Sequence, residues 1–190
     1  MTWSNNFLNG VTTHSPGCDD HHYWTLELVG VGDEITFQST FPNFSLNMID
    51  TSNRLSSGNY VYHTTGRGPA LSGTTLFHAV NSVWSGIPGH AIEGGDQGRG
   101  VFEGCYFEDV VEIAPAEPEN QLFSASDENA ASCESAFGRA CQPNGYSGSG
   151  AFDSSDTGFF GDFAGLTIAP AGSATDALGY VPDNCGIGRV

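Results

Sequence analysis

A repeat of 22 to 24 residues constrains this chain more than any other feature. Asn6-Phe-Leu-Asn9, Asn59-Tyr-Val-Tyr-His63, Asn81-Ser-Val-Trp-Ser85 and Cys105-Tyr-Phe-Glu-Asp109 look alike, and 22 residues separate Asn59 from Asn81 and 24 separate Asn81 from Cys105. Three of these runs follow a short apolar strand: Glu34-Ile-Thr-Phe37, Thr75-Leu-Phe-His-Ala-Val80 and Gly100-Val-Phe-Glu103. A strand-rich repeat of this length cannot bury its inward face alone, so neighbouring coils must stack and share a core. The pattern predicts an all-β solenoid, a parallel β-helix. Asn at one place in successive coils is expected to hydrogen-bond along the stack, with Cys105 breaking that ladder. A β-sandwich is the competing architecture, but the strands lack two-residue Asn-Gly or Asp-Gly hairpin turns between them.

Two regions depart from the period. Residues 39–57 interrupt a coil, and deleting them joins Ile-Thr-Phe-Gln38 to Gly58-Asn-Tyr-Val. A 19-residue unpatterned loop inside a coil runs against loop-length priors. The stretch therefore reads as a non-homologous insertion, either a short intron translated in frame or an ordinary surface insertion. Residues 114–190 are read as external loops and a C-terminal tail, with a cap from Ser154–Asp162 or Ala164–Ala171 and coil from Pro182 onward. The whole chain is read as one domain, residues 1–190.

Charge narrows the function. Five Lys+Arg stand against 22 Asp+Glu, for a net charge of −17, and the chain has no lysine. That excludes nucleic acid as a partner, because phosphate binding needs basic clusters. It also counts against a polyanionic substrate. No apolar run is long enough to span a bilayer. In so acidic a chain Arg67 stands out: it sits between Gly66 and Gly68, before Pro69, where the backbone can turn sharply and leave stiffly. Such a turn presents a guanidinium in fixed geometry.

Five cysteines are present, and Cys133 and Cys141 lie eight apart in a polar stretch. Their spacing suits a small surface loop in an oxidising compartment, with a metal site as the competitor. The opening Met1–Gly10 has neither a basic nor an apolar leader region and reads as the middle of a strand: either the protein is cytoplasmic with coincidental cysteines or, the preferred reading, the true N-terminus lies upstream. Cys18, His21 and His22 suggest zinc only weakly, since adjacent residues on a strand point apart. Asp19 and Asp20 lack the loop pattern of a calcium site. His63, His78 and His90 are read as structural, and Trp84 as packed.

Several of these runs resemble the fungal pectin lyases of polysaccharide lyase family one. The matching residues are Cys18-Asp-Asp-His-His-Tyr-Trp-Thr25, Gly58–Pro69, Leu76–Trp84 with Ser85–Glu93, Cys133 to Cys141, Asn144-Gly145 and Phe159–Phe163. The resemblance covers nearly the whole chain except 39–57. It implies a right-handed, single-stranded parallel β-helix, truncated at its N-terminus to the C-terminal half. It implies eliminative cleavage of methyl-esterified (1→4)-α-D-galacturonan to 4,5-unsaturated ends. It implies secretion, with the signal peptide upstream of this chain.

Residue by residue, the resemblance assigns Arg67 as the catalytic group that abstracts the C5 proton, a demanding role for a guanidinium. Stabilising the enolate is the alternative role, and pairing with Glu93 or Asp96 is the non-catalytic reading. Trp24, with Tyr23 beside it, is implied as substrate-binding. Cys133 and Cys141 are implied as a disulfide, and Cys18 as having an upstream partner. The pairing of Cys105 and Cys185 stays open, with each other as one option. Methyl esters are neutral, so no metal or cofactor is expected, and methyl-esterified pectin is the expected partner of a monomer. Missing upstream coils would leave the 190 residues poorly soluble and without turnover. A non-catalytic β-helix that binds cell-wall polysaccharide and a calcium-dependent pectate lyase are the alternatives.

Overall fold

The computed structural model describes residues 2–15, 17–32, 34–38, 58–116 and 118–186. The insertion proposed at 39–57 lies outside them. Among the described residues, thirteen strands wind through successive coils. Coil one holds β1 (Thr2–Ser4), β2 (Phe7–Asn9) and β3 (Glu27–Gly30), and coil two holds β4 (Glu34–Gln38), β5 (Tyr60–Tyr62) and β6 (Ala70–Gly73). Coil three holds β7 (Leu76–Val80), β8 (Val83–His90) and β9 (Glu93–Gly94). Coil four contributes β10 (Arg99–Glu103) and β11 (Tyr106–Glu112), and coil five β12 (Gln121–Ser124) and β13 (Gly145–Ser147).

Each strand pairs in parallel with its equivalent in the next coil, giving sheets β1-β4-β7-β10-β12, β13-β11-β8-β5-β2 and β3-β6-β9. The fold is a parallel β-helix. Its interior follows from side-chain alternation. In the second sheet Leu8, Val61, Trp84, Phe107 and Tyr146 share one column. Trp84 stacks on Phe107 at 5.0 Å and Phe107 on Tyr146 at 5.8 Å. Fully burying a ring such as that of Phe107 contributes roughly 1.5–3 kcal/mol, whereas Tyr146, at the end of the column, is 42% exposed.

The register corrects one expectation. Asn59 lies level with Ser82, not Asn81, so the column runs Asn6, Asn59, Ser82, Cys105, Asn144. Asn6 Nδ2 donates to Asn59 Oδ1 at 2.9 Å, and Asn144 Oδ1 accepts from Cys105 N at 2.9 Å. Asn81 belongs to the neighbouring corner column, where Asn5, Asn81 and Gly104 all have φ near +50 to +60° (61°, 49° and 58°). Asn and Gly are the residues that enter this left-handed region most readily.

The segment after residue 114 is not wholly external, because β12 and β13 add a fifth coil. Nor does the chain run on as coil through Pro182. A short helix α1 (Glu134–Phe137) sits in the disulfide loop, and a longer helix α2 (Ala174–Asn184) contains Pro182 in its last turn. Ser173 caps α2 by accepting from Asp176 N. Ala177 and Val181 pack that helix on Val83, Tyr60 and Tyr106, the outward residues of the second sheet. Phe137, Phe159, Phe160 and Phe163 cover the first sheet against Leu76, Val101 and Phe123.

Cys133 and Cys141 form a disulfide with a Cα–Cα distance of 5.6 Å. Their loop is anchored from below. Arg139 makes two 2.7 Å hydrogen bonds to Glu103, which is fully buried and also accepts from His78 Nε2 at 2.7 Å. Cys105 and Cys185 are both buried but pack in different clusters and are not bonded to each other. Among the described residues no helix is long and apolar enough to cross a membrane.

Candidate active site

Arg67 occupies the turn between β5 and β6. Its backbone is left-handed, with φ 53°, and the Gly68–Pro69 peptide is cis. Coils on both sides pin this turn. Leu26 N donates to Arg67 O at 2.8 Å, Arg67 N to His90 O at 3.1 Å, and Gly68 N to Ala91 O at 2.8 Å. Coil three presses closely here: a Cβ on Gly89 would lie 2.1 Å from Thr65 O, so only glycine fits. From the interior, the Trp84 indole N–H donates to Gly68 O.

Two carboxylates hold the guanidinium. Glu27, Ala70 and Glu93 share one column of the third sheet. The small Ala70 leaves a gap between the two glutamates, and Arg67 bridges it. NH1 donates to Glu27 Oε1 at 2.7 Å and Nε to Glu93 Oε2 at 3.1 Å. NH2 makes no hydrogen bond among the described residues. The guanidinium also lies over the Trp24 ring at 4.4 Å, a cation–π contact. The hydrogen bond to Glu27, with the charge of Glu93, outweighs desolvation and raises the Arg67 pKa. The group is therefore a fixed cation.

Arg67, Trp24, Tyr23, Pro88, His90 and Glu93 line an open groove of about 290 Å³. Trp24 and Tyr23 are each 48% exposed, so neither is a core aromatic. His90, read from sequence as structural, faces this groove. Its Nε2 lies 2.7 Å from Glu112 Oε2 and its Nδ1 3.6 Å from Glu93 Oε1. A chain of polar contacts thus runs from Glu27 through Arg67, Glu93 and His90 to Glu112, and the last four line the groove. Of these, sequence reasoning named Arg67 and offered Glu93 as a partner. Asp96, the other partner offered, makes no ion pair with Arg67 among the described residues. Glu27 and Glu112 were missed, since only inter-coil register brings them in.

The remaining candidates lie to one side. Asp19 closes its own loop, accepting from Ser15 Oγ at 2.7 Å and His21 N at 3.2 Å, which lowers its pKa. The His21 ring stacks on His63 at 3.6 Å. Cys18 is exposed. His78 is the buried partner of Glu103, as its structural reading anticipated. Trp84 is wholly buried.

No protein-family model matches the chain. Curated relatives match along its full length. It is 79% identical over 190 residues to a probable pectin lyase C of Aspergillus niger, covering all of this chain and 45% of that protein. It is 50% identical over 193 residues to a probable pectin lyase A of Aspergillus flavus, again covering all of this chain and 46% of that one. With a probable pectin lyase C of Emericella nidulans the identity is 42% over 192 residues, covering 98% and 46%. Among solved structures, a pectate lyase C variant in complex with pentagalacturonic acid matches with a TM-score of 0.47 and 15% identity, over 99% of this chain and 57% of that one. The chain spans less than half the length of the curated relatives it matches, and by sequence along all of its residues it belongs to the fungal pectin lyases.

Proposed function

We propose that the protein built on this chain is a secreted lyase that cleaves methyl-esterified galacturonan by β-elimination, with Arg67 as a catalytic residue. One observation carries the reading: a doubly anchored guanidinium stands over an exposed tryptophan in an open groove of a parallel β-helix. Elimination takes the proton from C5 of a uronate ring, moves its electron pair toward the C6 ester carbonyl, and expels the glycosidic oxygen from C4. The barrier falls when a fixed donor meets the oxygen where negative charge develops.

Arg67 suits that donor role. Glu27 and Glu93 raise its pKa, which favours the stabiliser over the base. NH2 is left to donate to the ester oxygen. His90, Glu93 and Glu112 are the groove's imidazole and carboxylate groups with capacity to accept a proton. Trp24 and Tyr23 offer aromatic faces to sugar C–H groups. An acidic chain favours a neutral ester over a polyanion. A second reading, polysaccharide binding without turnover, draws on the pairing of Arg67 with two carboxylates.

The test places this chain in the framework of the Aspergillus niger relative, in exchange for the matching segment. Formation of unsaturated product on highly esterified pectin is then followed by ultraviolet absorbance. Arg67→Ala is expected to lower kcat about 10²–10³-fold. Full activity in Arg67→Ala would remove Arg67 from the chemistry. Binding without product would favour the second reading. Turnover only on unesterified pectate with calcium would overturn the substrate assignment.

A further inference from the structure

A second cavity, of about 630 Å³, opens on the same face of the solenoid. It lies within the roughly 300–1,000 Å³ of small-molecule sites, and it continues the first groove, because Val111 and Glu112 line both. The stacking explains the continuity. Arg67 is in coil two, His90 in coil three pairs with Glu112 in coil four, and Gly150 of coil five donates its amide to Val110 O at 2.9 Å. Coils about 4.8 Å apart place coil five ~14 Å along the axis from Arg67.

The cavity's chemistry is mixed. Its floor is apolar, from the buried Phe152 and Leu122, with Pro115 on one wall. Val111, on the ridge between the two spaces, is 68% exposed, an uncovered apolar surface in the path between them. Asp153 and Asp156 stand exposed at the rim. Among the described residues no arginine lines the cavity. Asn120, in its wall and almost fully buried, donates to Glu93 O at 3.2 Å, tying this space to the partner of Arg67. An apolar floor accepts sugar C–H faces and ester methyl groups, while rim carboxylates repel a free uronate.

Resting on the pectin lyase reading above, we propose that this cavity is a distal subsite for further methyl-esterified uronate units of the same polymer, selected against free uronate by Asp153 and Asp156. Long oligomers then bind through both spaces and short ones through the Arg67 groove alone.

Binding of the chain to galacturonate trimers and octamers, fully esterified or unesterified, tests this by calorimetry. Ala151 is exposed on the cavity wall, so Ala151→Trp fills the space without burying a new group in the core. It is expected to weaken the esterified octamer about tenfold and leave the trimer unchanged. Asp153→Lys is expected to tighten the unesterified octamer about fivefold at low salt, with the gain lost at high salt and the esterified octamer unaffected. Circular dichroism of each variant confirms folding. Equal binding of trimer and octamer, with no effect of Ala151→Trp, would overturn the distal subsite and leave the pectin reading standing. Absence of binding by either esterified oligomer would sink both.

Discussion

Trp84, wholly buried in the core, donates its indole N–H to the carbonyl of Gly68, the residue that follows Arg67. The interior packing and the groove are thereby one structure. Replacing Trp84 with Phe keeps an aromatic ring against Phe107 but leaves a buried carbonyl without its donor. An unsatisfied buried acceptor costs about 1–3 kcal/mol. Equilibrium unfolding of Trp84→Phe is expected to show that loss. Quenching of the exposed Trp24 should change with it, as the Arg67 turn loosens. Unchanged stability would mean that the indole bond contributes nothing.

The Glu27–Arg67–Glu93 bridge sets the charge of the groove. Substituting both glutamates by glutamine removes two negative charges and leaves Arg67 uncompensated. Unesterified oligogalacturonate is expected to bind about fivefold more tightly to this double variant at low salt. The esterified ligand should change much less. Titrations at two ionic strengths check both statements, and an equal change for the two ligands would show that the carboxylates do not tune selectivity.

Arg67 stood out because its signal is local, a guanidinium in a Gly-Arg-Gly-Pro turn, whereas Trp24 and Tyr23 came from the family resemblance; all three line the groove. The coil period was legible because it too is a local signal. Register was not. Asn favours both the ladder column and the left-handed corner beside it, so Asn81 and Asn59 looked equivalent while lying one place apart. A slip of one residue exchanges the inward and outward faces of a strand. Glu27 and Glu93 meet Arg67 only through that register, across 40 and 26 residues. β12 and β13, of four and three residues, are too short to show a period. Pro182 hid α2, although Ser173 with Asp176 and the spacing of Ala174, Ala177 and Val181 carried the helix signal.

Arg139 is expected to matter more for stability than any exposed charge. Burial, the largest influence on Glu103, pushes its pKa upward, but hydrogen bonds from Arg139 and His78 overcome it and leave the pKa lowered. Arg139→Met strands a carboxylate that is fully buried, at a cost of about 3–5 kcal/mol. The sign with pH follows. A carboxylate with a lowered folded pKa stabilises fully above its ordinary value of 4.5 and loses that contribution as pH falls below it. Urea unfolding across that range should show a smaller acid dependence in Arg139→Met. A parallel pair of curves would remove Glu103 from the acid response.

Thiol chemistry should separate the cysteines. Cys18 is exposed, whereas burial pushes the Cys105 thiol up to about 12. The thiolate is the reactive form, so at about pH 8 Cys105 is inert while folded. A disulfide reagent is expected to label Cys18 rapidly in the native chain and Cys105 only after denaturation. Cys18→Ser should abolish the rapid phase. Rapid labelling of Cys105 in the native state would mean that the core of coil four opens readily.

Acid should loosen the loop that carries Trp24 into the groove. His63 stacks on His21, and its pKa is lowered first by burial and then by the neighbouring imidazole, with Asp20 and Asp19 acting in the opposite direction. A histidine with a lowered folded pKa is held neutral by the fold. The unfolded or undocked loop binds its proton more readily, so stability is full above the ordinary value of 6.5 and declines as pH falls below it. The amides that dock this loop are Thr65 N, bonded to His22 O at 2.9 Å, and His22 N, bonded to Gly10 O at 2.7 Å. Their hydrogen exchange, corrected for intrinsic rates, is expected to accelerate below that pH. His63→Gln cannot titrate and should flatten the dependence. Exchange that stays constant with pH in the wild-type chain would show that the stacked pair does not govern docking.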